Sequence, residues 1–93
     1  MIDERLLGRW RTLPETTDEP VTMELDEHGS LTYTMHGAER DQKMFLRYRT
    51  EGDVIVSDQP SDPREERTTY RLTAEGLLVL IYDGEEWYYQ RCG

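Results

Sequence analysis

Val21-Thr22-Met23-Glu24-Leu25, a turn at His28-Gly29, and the return run Leu31-Thr32-Tyr33-Thr34-Met35-His36 decide the fold class of this chain. In the first run Val21, Met23 and Leu25 fall on one face, with Thr22, Glu24 and Asp26 on the other. That period of two marks a half-buried strand. Gly29 supplies a residue free to take the positive φ that tight primed turns require. The return run repeats the rule, with Leu31, Tyr33 and Met35 inward and Thr32, Thr34 and His36 outward. Two alternating runs joined by a short turn make a hairpin, and the same rhythm recurs along the chain.

Toward the N-terminus, Gly8 to Leu13 reads as a strand and Pro14 to Pro20 as a proline-bounded loop. Ile2, Leu6 and Leu7 follow helical spacing behind Asp3 and Glu4, acids that suit a positive helix N-terminus, so a single helical turn is expected before Gly8. Toward the C-terminus, a turn at Gly37 to Asp41 precedes Gln42 to Thr50, which sets Met44, Leu46 and Tyr48 against Phe45, Arg47 and Arg49. Glu51-Gly52-Asp53 turns into a short β-branched strand, Val54 to Val56. Ser57 to Glu66, with two prolines and five charges, reads as the longest irregular stretch and a candidate for mobility. Thr68 to Thr73 directs Tyr70 and Leu72 inward, and Ala74-Glu75-Gly76 turns into the nearly continuous apolar run Leu77 to Tyr82. Such a run predicts a strand buried on both faces or covered by another element. Asp83-Gly84 is the strongest short hairpin signal, and Glu86 to Cys92 follows with Trp87 and Tyr89 inward.

About eight short strands with short turns predict an all-β, up-and-down antiparallel meander. Neither the first nor the last strand carries the proline or lysine that blunts an open edge, and closing the sheet into a barrel removes both edges. The inward set is bulky, so a mostly filled interior is expected, with any ligand pocket small and near one open end.

The 93 residues suit one domain spanning 1–93, and nine aromatics can close a core despite a hydrophobic fraction of 35%. A net charge of −9 repels phosphate backbones and anionic lipid surfaces, so neither nucleic acid nor membrane is expected as a partner. Lys43 is the single lysine, and the acidic, lysine-poor balance is read as solubility charge, with a salt-rich environment as the alternative. Cys92 is the single cysteine, so no intrachain disulfide forms. Met1 to Trp10 holds no long apolar run of the kind a signal peptide or anchor needs, and a cytoplasmic location is the resulting expectation.

Leu7-Gly8-Arg9-Trp10 carries a Gly-x-Trp signature at the start of the first strand, and Tyr88-Tyr89-Gln90-Arg91 closes the last. With these residues the chain resembles the small bacterial lipocalin-like domains and, more broadly, the calycin barrels. The resemblance implies that a short N-terminal helix caps one barrel end, that Trp10 sits at the base of the core, and that Arg91 packs across its indole. The function expected of such a barrel is binding of a small apolar or aromatic ligand at its open end, where the inward set offers Tyr33, Tyr48, Tyr70 and Trp87 as the lining. The chain departs from full lipocalins in its length and in lacking a disulfide.

Motifs for chemistry are sparse. His28 and His36, with Glu27 and Glu39 nearby, read as solvated rather than as a metal site, because zinc sites declare three or four ligands at compact spacing. Almost all the carboxylates fall on outward faces or turns, and no nucleophile elbow or phosphate-cradling loop is present. No metal, no cofactor and no enzymatic activity are expected. On the outward face, Phe45, Arg47, Arg49, Arg71 and Tyr88 lie with Val79 and Ile81, a mixture enriched at protein interfaces. A homodimer or partner contact through that face is the alternative function, and it goes with a filled barrel.

Overall fold

The computed structural model describes residues 2–13, 20–37, 39–60 and 64–92. Eight strands follow a single 3-10 turn, η1 (Glu4–Leu6): β1 (Gly8–Thr12), β2 (Val21–Leu25), β3 (Ser30–His36), β4 (Asp41–Glu51), β5 (Val54–Asp58), β6 (Glu66–Leu72), β7 (Leu78–Tyr82) and β8 (Glu85–Arg91). Each strand pairs antiparallel with its sequence neighbours, and β8 returns to β1, so the meander closes into a barrel. This all-β, eight-strand architecture fits a calycin-type barrel. Among the described residues, no helix is long and apolar enough to cross a membrane.

The alternation read from β2 and β3 sets the register directly. Met23 stands opposite Tyr33 and Leu25 opposite Leu31, placing all four side chains inside. A slip of one residue would turn this whole set to solvent, so burial itself holds the pairing. Closure is specified the same way, by Trp10 opposite Arg91 and Thr12 opposite Tyr89. Backbone bonds extend it past the strand ends, from Cys92 N–H to the Arg9 carbonyl at 2.9 Å and from Leu13 N–H to the Tyr88 carbonyl at 3.3 Å. The β7–β8 turn has both Asp83 (φ 51°) and Gly84 (φ 79°) left-handed, the geometry that matches the twist of a two-residue hairpin.

One end of the barrel is sealed from the N-terminus. Asp3 caps η1 by accepting from Arg5 N–H, and Leu6 is driven fully out of solvent onto Trp10. The Trp10 indole N–H donates to the Leu6 carbonyl at 2.9 Å, which keeps the buried ring's polar atom satisfied. Arg91 lies over the same ring with its guanidinium carbon 4.2 Å from the centroid, and donates to the carbonyls of Leu7 (2.6 Å) and Arg5 (2.8 Å). Gly8 is the residue that permits this closeness. Its φ is +120°, and a Cβ there would stand 2.8 Å from Arg91 Nη1.

Two expectations need correction. Ser57 and Asp58 belong to β5 and Glu66 begins β6, so the irregular segment is shorter than the sequence predicts; residues 61–63 lie outside the described set, as do 14–19 of the Pro14 to Pro20 loop. Polar residues can hold a strand when its ladder is satisfied by partners, here Ser57 by Tyr48 and Glu66. The interior, too, is filled at only one end. The sealed half packs Leu6, Trp10, Leu25, Tyr48, Tyr70 and Leu78, but the other half encloses open space. Thr12, Ser57 and Thr68 all point inward there, and such small side chains do not reach the axis.

Candidate functional site

Strands β1, β3, β5 and β7 run toward the unsealed end, and the chain re-enters from it along β2, β4, β6 and β8. The inward residues near that end line a cavity of about 410 Å³. Met23, Leu25, Leu31, Leu46, Ile55 and Leu80 make its floor and walls. Tyr82 and Trp87 stand at the rim, 50% and 39% exposed, because the inward face of β7 and β8 runs past the last layer of the core. Polar atoms enter at few points. The Thr12 hydroxyl accepts from Val21 N–H at 3.1 Å and so holds the start of β2 to the end of β1. The phenols of Tyr33 and Tyr89 face each other within the wall. Burial raises the pKa of both, and the neighbouring Tyr33 phenol pushes Tyr89 up further.

Glu66 is the only charged residue that lines this cavity among those described. Its place follows from register, since Ser57 pairs with Glu66 and Ile55 with Thr68, on the inward side of β5 and β6. A smaller recess of about 160 Å³ adjoins it and shares Met44, Leu46, Ser57 and Glu66, with Asp58 and Arg64 on its outer side. The recess exists because β5 pairs only with the second half of β4, from Arg47 onward.

The four side chains nominated from sequence separate into two groups. Tyr33 and Trp87 line the cavity. Tyr48 and Tyr70 belong to the sealed end, where their hydroxyls are already committed. Tyr48 donates to the Asp26 carbonyl at 2.7 Å, and Tyr70 donates to Asp3 Oδ2 at 2.8 Å and is 3.2 Å from the Gly52 carbonyl. Burial first, then the charges of Asp26 and Asp3, pushes each phenol up to about 12. Trp10 and Arg91 stack at the same sealed end. Sequence reasoning turned Tyr82 inward without nominating it, and missed Glu66 and the small residues Thr12, Ser57 and Thr68; Glu66 keeps the inward parity of Thr68 and Tyr70, and that parity is the available signal.

Several of the outward residues are engaged with one another. Arg71 reaches across β7 to Glu86 at 2.9 Å and Tyr88 at 3.4 Å, covering Val79, which has no exposure. Arg49 and Arg67 bracket Glu51 at 2.8 and 2.9 Å above Val56, which is 2% exposed. These arginines lower the Glu51 carboxyl, Arg67 more than Arg49. Phe45 is 66% exposed, and Arg47 has no ion pair among the described residues. His28 lies 3.7 Å from Glu27, while His36 contacts Thr22 at 2.7 Å and Asp41 at 3.3 Å. Among the described residues, no three histidines, cysteines or carboxylates gather as metal ligands.

No family model, curated protein or solved structure matches this chain. What the cavity can do follows from its shape and chemistry. An apolar chamber with a few convergent polar groups at one mouth is the form that small-molecule sites take, typically at about 300–1,000 Å³.

Proposed function

We propose that this chain is a lipocalin-like, non-enzymatic module that binds one small apolar or aromatic molecule in the open half of its barrel. The cavity of about 410 Å³ carries the reading. A cavity of about 150 Å³ lined by apolar side chains already takes benzene, so the space here suits a bicyclic aromatic or a medium-length alkyl body. Aliphatic walls supply the affinity, and Trp87 and Tyr82 at the rim offer flat faces for the part of the ligand left near water. A bacterial source and a cytoplasmic setting belong to the same proposal; the second rests on the single, unbridged Cys92.

A partner-binding role through the outer face has less support, because Arg49, Arg71 and Tyr88 already hold intramolecular contacts over Val56 and Val79. Thermal melting with two neutral probes, naphthylmethanol and decanol, run beside sedimentation velocity, tests the choice. Ligand that binds only the folded chain raises Tm as its concentration rises. No shift with either probe, together with a dimer in sedimentation, would retire the ligand-binding reading.

A further inference from the structure

We infer that the occupant of this cavity is a cationic amphiphile: a protonated amine on an apolar or aromatic body, with its ammonium at the mouth against Glu66. The inference rests on the ligand-binding reading and specifies its ligand class. Glu66 is the one charged side chain in a lining otherwise made of apolar, phenolic and small hydroxyl side chains. Its inward position is set by the β5–β6 register and not by a rotamer choice, since Ser57 opposite it faces the same cavity. None of the ion pairs among the described residues uses it. Arg64, the cation that shares the adjoining recess, ties its backbone N–H to Asp58 Oδ1 at 2.7 Å and makes no ion pair with Glu66. The recess therefore sets two carboxylates, Asp58 and Glu66, against one guanidinium.

Charge on larger scales acts in the same sense. A net charge of −9 repels a carboxylate or phosphate head and concentrates cations at a mouth with low-dielectric walls. Trp87 and Tyr82 at the rim add the negative faces of their rings, which attract an ammonium within about 6 Å. Glu66 is exposed at the mouth, so an anionic fatty acid would place its head beside that carboxylate, and a neutral ligand would leave it to water alone. An amine answers both, with a charge-assisted hydrogen bond to the carboxylate.

Three probes sharing one body but differing in head charge test this: naphthylmethylamine, naphthylmethanol and naphthylacetate, titrated calorimetrically into the wild-type chain and Glu66→Gln. Melting curves of both proteins confirm that the variant is folded. The amine should bind about tenfold tighter than the alcohol, as a charge-assisted contact allows, and the carboxylate most weakly. In Glu66→Gln the amine should fall to the level of the alcohol, with the alcohol itself unchanged. Equal binding of amine and alcohol to the wild type would overturn the inference while leaving the ligand-binding reading standing. An equal loss of all three probes in Glu66→Gln would also overturn it, since the side chain would then act as wall and not as charge. If none of the three binds, both readings fall.

Discussion

At the scale of single residues, the sealed end depends on three side chains that cannot be exchanged independently. Trp10 fills the base, Arg91 covers it, and Gly8 leaves the room for the guanidinium. Trp10→Ala should cost about 3 to 5 kcal/mol, read from urea unfolding, as other buried Trp truncations do. A cost below about 1 kcal/mol would mean that the indole is not a structural keystone. The resemblance to lipocalin-like domains implies the Trp10–Arg91 partnership from sequence. What it did not show is why the glycine precedes them: the left-handed φ and the 2.8 Å approach are properties of folded backbone, invisible in a one-dimensional pattern.

At the scale of elements, the start of β7 shows how a strand can be buried on both faces without a second layer, while its far end opens to solvent at Tyr82. Leu78 faces the core, while Val79 faces outward beneath the aliphatic stem of Arg71, whose charged end reaches Glu86 on β8. Val79→Ala should therefore cost roughly 2 kcal/mol, the value of a buried aliphatic group, although it lies on the outer face. Phe45→Ala, on the same outer surface but 66% exposed, should change stability by less than about 0.5 kcal/mol. Equilibrium unfolding of the two variants compares them directly, and equal costs would contradict the cover. The alternation in β2, β3 and β4 was plain in the sequence because each has a polar face to contrast with its apolar one. Ser57, Asp58 and Glu66 were misassigned because the contrast fails near the mouth, where the inward face itself becomes polar. The same failure concealed the candidate site, whose distinguishing residue is one of those three.

For the whole molecule, buried phenols set an upper limit of pH. Tyr48 and Tyr70 ionise only near 12 in the folded chain, chiefly because burial disfavours the phenolate, against an ordinary value of 10.0. The raised values stabilise the fold fully below pH 10, and that contribution is lost as pH rises from 10 through 12. The urea midpoint should hold level up to the lower value and then fall, with the share of phenolate absorbance that belongs to Tyr48 and Tyr70 appearing together with unfolding. A Tyr48→Phe, Tyr70→Phe chain that declined just as steeply would place the cause elsewhere. Closure of the barrel was readable from strand rhythm and from edges left without proline or lysine. The size of the cavity was not, because it is a small difference between the space eight strands enclose and the volume their side chains fill. That closure has a temporal consequence. β1 meets its second neighbour, β8, only after all six intervening strands. While the chain is being synthesised, the first strand must wait with one edge bare until the last has emerged, and amide hydrogens on these two strands should gain protection from exchange together.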